Sequence, residues 1–123
     1  MQGLSADVDV VLEWHAALSA ADTERLVELS TSDVEVGGPR GVGTGVDLLR
    51  EWVTRAKLQL EPVRWESRHA TVVVEEVARW ASEDGRIGEP QTLASVFRVK
   101  DGKVSSVMRF GDFAAALASA AGV

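Results

Sequence analysis

Near Glu61 the hydrophobic pattern changes period, and no other feature constrains the fold of this 123-residue chain so strongly. Upstream, apolar residues recur at helical spacing. Val11, Trp14 and Leu18 share one face after the candidate caps Ser5 and Asp7, and Val10, Ala17 and Ala21 widen it. Asp22 caps a short second helix carrying Leu26 and Leu29. After a short strand, Val34 to Val36, ended by Gly37-Gly38-Pro39, Thr44 to Asp47 forms a capping box for a third helix. The buried stripe of that helix is Leu49, Trp52, Val53 and Ala56. Downstream the period is twofold. Val63, Trp65 and Ser67 alternate with Arg64, Glu66 and Arg68, and Thr71 to Trp80 reads as a long strand. Asp84-Gly85 marks a turn. Thr92 to Lys100 and Lys103 to Phe110 are strands joined by Asp101-Gly102, a strong hairpin signal. Ala114 to Ala121 is a candidate closing helix. Helices followed by a meander define an α+β class, read as one domain over 1–123.

The hairpin turn sets a register. It pairs Val99 with Val104, Phe97 with Ser106, Ser95 with Met108 and Leu93 with Phe110, and this face is assigned to the interior. The opposite face carries Ala94, Val96, Arg98, Ser105, Val107 and Arg109. It is too apolar for a plain solvated surface, so a homodimer contact is expected there, with Arg98 and Arg109 in ion pairs or intersubunit bonds.

Composition narrows the function. The formal charge of −6 opposes nucleic acid and anionic membranes. The chain has no cysteine, which excludes disulfides, thiolate metal sites and a cysteine nucleophile. The N-terminus lacks the pattern of a signal peptide and no stretch is apolar for long enough to span a bilayer, so a cytoplasmic location is expected.

Several residues are candidates for chemistry. Glu75 and Glu76 point to opposite faces of their strand. Glu76 shares its face with Val72, Val74, Ala78 and Trp80, which makes it the candidate interior acid or base. Trp14, Trp52, Trp65 and Trp80 are candidate walls of an apolar pocket, with Ser95, Phe97 and Met108 added from the hairpin. His15 and His69 have no metal-ligand spacing and are read as rim or surface residues, so neither a metal site nor a cofactor is expected. Gly41, Gly43 and Gly45 precede a helix, but no lysine follows and Asp47 would repel an anion; a tight turn is the better reading.

Four stretches carry a family resemblance: Glu13 to Leu18 ahead of Asp22, Asp33-Val34-Glu35-Val36, Gly43-Thr44-Gly45 leading into Leu49-Arg50-Glu51-Trp52, and Val96-Phe97-Arg98-Val99 ending in Asp101-Gly102-Lys103-Val104. Their order resembles the nuclear transport factor 2-like superfamily, in its SnoaL-like and ketosteroid-isomerase-like branch. The resemblance implies a cystatin-like cone, a curved antiparallel sheet packed on three N-terminal helices. It also implies which catalytic groups are missing. The oxyanion tyrosine of ketosteroid isomerases falls on Trp14, the base on Val36 and the second acid on Ser95. No ketosteroid isomerase activity is therefore expected. Arg109 stands near the place of one aspartate in the limonene-epoxide-hydrolase set, which argues against that chemistry too. The expectation is a protein that binds a hydrophobic small molecule. One alternative is an isomerase, cyclase or dehydratase acting on a carbonyl compound with Glu76 as base. The other is a protein-interaction module with a filled cone.

Overall fold

A computed structural model describes residues 6–38, 41–56, 58–80, 86 and 88–121. Ser5 and the Asp84-Gly85 turn lie outside the described residues. Helix α1 spans Ala6–Ser19 and α2 Thr23–Glu28, followed by strands β1 (Ser30–Gly38) and β2 (Gly41–Thr44). Helix α3 (Val46–Ala56) leads into β3 (Leu58–Arg68), β4 (Thr71–Trp80), β5 (Gln91–Lys100) and β6 (Lys103–Phe110), and α4 (Phe113–Ala121) closes the order. The class is α+β, with helices packed on an open, curved six-stranded sheet ordered β2-β1-β6-β5-β4-β3.

The α1–α2 corner follows from local chemistry. Ala21 adopts φ 55°, and the N–H groups of Ala21 and Asp22 donate to the carbonyls of Leu18 and Ala17, which ends α1 in a Schellman motif. The Asp22 carboxylate then accepts from the Arg25 N–H and starts α2.

Four expectations are corrected. The short strand at Val34 to Val36 extends over nine residues, and the glycine segment after it returns as β2. Thr44 is thereby paired with Glu35 in the sheet, and the Gly45 carbonyl accepts the first helical bond of α3 instead. The sheet is not wholly antiparallel, because β1 runs parallel to β6, with Val36 opposite Val107.

The fourth correction concerns the hairpin register. The turn forms as read, with Asp101 and Gly102 both at positive φ and Val99 opposite Val104. A β-bulge then places Ser105 as an extra residue on β6, its hydroxyl donating to the Arg98 carbonyl. Beyond it Phe97 faces Val107, Ser95 faces Arg109 and Ala94 faces Phe110. An inserted residue shifts the twofold alternation by one, so every later β6 side chain changes face. Val107 and Arg109 turn inward, while Met108 turns outward.

The outer face is apolar for a reason internal to the chain. Val73, Ala94 and Val96 are buried under Phe113 and Ala116 of α4, with Phe110, Leu117 and Ala120 packed around them. Asp112 starts this helix by accepting from the Ala115 N–H. Thus α4 accounts for the apolar character from which the sequence reading infers a subunit contact.

Candidate functional site

The inner face of the sheet has two ends. At one, α1 lays Trp14 against the strands. Trp14 is fully buried, meets Phe97 edge to face at 5.3 Å, stacks on Trp52 at 6.4 Å and donates its indole N–H to Ser30 Oγ. Trp14 and Phe97 are therefore core residues, and neither lines the recess at the other end.

At the other end a recess of about 270 Å³ remains open. Its walls come from Val36 to Gly38 on β1, Leu48 and Trp52 on α3, Leu58 and Leu60 on β3, Trp80 on β4, Leu93 and Ser95 on β5, and Val107 and Arg109 on β6. Of the pocket residues expected from sequence, Trp52, Trp80 and Ser95 meet here. Trp65 lies exposed at the far end of β3, and Met108 is half-buried on the outer face. Glycines shape the rim. A Cβ on Gly37 would stand 2.7 Å from the Gly41 carbonyl oxygen, and one on Gly43 would overlap the Leu48 side chain. Close packing accounts for Gly37 and Gly43, whereas Gly41 and Gly45 stand at positive φ with open space around them, in keeping with a tight turn.

Behind the recess runs a buried polar chain. Glu76 projects inward from β4 and has no exposed surface; its Oε2 is 2.5 Å from His15 Nε2, and its Oε1 accepts from Ser95 Oγ at 2.7 Å. His15 Nδ1 lies 2.7 Å from the Val11 carbonyl oxygen. A carbonyl only accepts, so Nδ1 carries a proton. One further proton then occupies the His15–Glu76 contact, on either the imidazole or the carboxyl, and the pair stays neutral in both forms. Both oxygens of Glu76 are engaged, as a buried carboxyl requires. Glu76 does not itself line the recess, whereas Ser95 does. At its other end the chain reaches a shallow groove between α1 and β3, bordered by His15, Ser19 and Pro62.

Two functional candidates escape the sequence reading. His15 is 1% exposed, not a rim residue. Its signal was present: an inward glutamate needs a partner, and His15 sits one residue from the Val11–Trp14–Leu18 stripe. Strict alternation places Arg109 outward, because the bulge that turns it inward has no sequence mark. Among the described residues no group of three or more His, Asp or Glu could hold a metal, and no helix is long and apolar enough to cross a membrane.

Residues 11–107 match the model of the SnoaL-like domain family. The chain belongs to that family, and its fold is that of NTF2-like proteins. No curated protein matches it in sequence. Among solved structures, an NTF2-like protein of unknown function from Cytophaga hutchinsonii is similar at 15% identity and TM-score 0.76, covering 91% of this chain and 95% of that one. A putative polyketide cyclase from Sinorhizobium meliloti is 27% identical, with TM-score 0.70 over 82% of this chain and 93% of its own. The epoxide hydrolase/cyclase-like enzyme SalBIII, described as having a role in pyran ring formation in the polyether salinomycin, is 19% identical with TM-score 0.76, over 85% and 88% of the two chains.

Proposed function

We propose that this protein binds a small, largely apolar molecule in the recess beneath Trp52 and Trp80. The observation that carries this reading is a cavity of about 270 Å³ lined mainly by apolar side chains, next to the close-packed core around Trp14. Such a volume suits a compact ligand of one or two rings. Two indoles on its wall give the test a direct signal. Ring-sized ligands should quench or shift tryptophan fluorescence, and Leu93→Trp, which fills the recess, should abolish the response while the fold persists. A response unchanged by that substitution would place binding elsewhere.

A second reading is proton-transfer catalysis, as in a cyclase or isomerase, and the chain Ser95–Glu76–His15 favours it. Because Glu76 is shielded from the recess, the group meeting substrate would be Ser95. Its Oγ would take a proton from substrate as its own proton passes to Glu76 Oε1, leaving the electron pair on the substrate. The similar cyclase and the cyclase-like enzyme support this class of chemistry. Glu76→Gln separates the readings: a binder keeps its ligand, whereas an enzyme loses roughly two or more orders of magnitude in turnover.

A further inference from the structure

The recess is apolar on every side except where β5 and β6 meet. There Ser95 and Arg109, opposite each other in the strand register, are the two polar side chains that line the recess. The Arg109 side chain runs along Gly38, where an added Cβ would stand 3.4 Å from its Cβ and 3.6 Å from its Nε. Three other arginines are neutralised locally, Arg25 2.6 Å from Glu13, Arg64 3.0 Å from Glu75 and Arg79 3.3 Å from Glu61, whereas Arg68 and Arg98 are in no ion pair among the described residues but do not line the recess. None of the ion pairs among the described residues includes Arg109, although acidic side chains outnumber basic ones, 19 to 13. Ser95 spends its proton on Glu76 and so offers the recess a lone pair, not a donor. Arg109 is itself exposed at the edge of the recess, so its positive charge is open to water and to whatever enters.

We infer that the ligand of the recess is an anion, a compact apolar molecule carrying a carboxylate or an equivalent oxyanion that seats on Arg109. The inference rests on the small-molecule reading above and adds its chemical class. An arginine fork meets a carboxylate with two parallel N–H···O bonds, and apolar walls on the other sides reduce the competition from water. The ligand body then lies against Trp52, Trp80 and Leu93.

The test compares 2-naphthoate with 2-naphthamide, two probes of one shape that differ in charge, by titration calorimetry against the intact protein. Naphthoate should bind roughly tenfold or more tightly than the amide, and only the acid should weaken as salt is raised. In Arg109→Gln the acid should fall to the level of the amide, with a native-like circular-dichroism spectrum and melting profile showing that the variant is folded. In Arg109→Lys part of the preference should survive. Equal binding of acid and amide by the native protein would overturn the anion inference and leave the recess reading intact, as would an acid preference that persists in Arg109→Gln. Failure of both probes to bind would overturn the recess reading itself, and the anion inference with it.

Discussion

The two ends of the inner sheet face are built from the same strands, yet one is solid and the other hollow. Strand β5 supplies Phe97 to the first and Leu93 and Ser95 to the second; β4 supplies Val74 and Glu76 to the first and Trp80 to the second. The difference is coverage. Helix α1 drops Trp14 and His15 onto the first end, whereas α3 reaches over the second with Trp52 and Leu48 and stops short of filling it. Aromatic content does not say which tryptophans meet a ligand; helix placement decides that.

The comparison breaks most sharply at Trp14. Trp14→Ala should cost ~3–5 kcal/mol of unfolding free energy in urea titrations, because it empties the packed end and removes the donor to Ser30 Oγ, which keeps only its own bond to the Leu26 carbonyl. A loss below about 1 kcal/mol would mean that this end is not solid. Next comes the buried pair. Glu76→Leu alone should cost ~3 kcal/mol, since it leaves His15 buried with Nε2 unpartnered, while Glu76→Leu with His15→Leu should recover much of that loss. Additive losses in this double-mutant cycle would show that the two side chains do not act as a pair.

At the hollow end the effect should be smaller. Trp80→Ala should cost only about 1 kcal/mol, because the half-buried indole borders empty space, and it should weaken ligand binding more than it weakens the fold. Smallest is the outer face, where the Arg64 guanidinium lies 4.1 Å from the Phe113 ring centre and pairs with Glu75. Arg64→Ala should cost ~0.5–1 kcal/mol, the usual worth of an exposed cation–π contact with a solvated ion pair. A greater loss there than at Trp80 would invert the comparison and make the anchoring of α4 the more critical contact.

Much of this was legible in the chain. The change of period near Glu61 separates helices from meander, and β4 and β6 run over the residues that the alternation marks. Asp101-Gly102 makes the two-residue turn its composition demands, since both residues must take positive φ. The inward direction of Glu76 was readable too, because a long strand alternates strictly and its neighbours at two-residue spacing are apolar. Its partner was harder to find. His15 and Glu76 are 61 positions apart, and only the packing of α1 on the sheet brings them together.

What the sequence determined by itself is therefore local: where helices start, where strands alternate and which turn closes the hairpin. Those properties depend on backbone preferences and on neighbours two to four residues away. The tertiary structure decided which face Arg109 takes, because the bulge at Ser105 shifts the alternation by one without any distinctive residue to mark it. It also decided that α4 covers the outer sheet face and that Trp14 fills one end of the interior while Trp52 and Trp80 border a space at the other. Those outcomes depend on how whole elements lie against one another, and an unfilled volume is a property of the surrounding elements together.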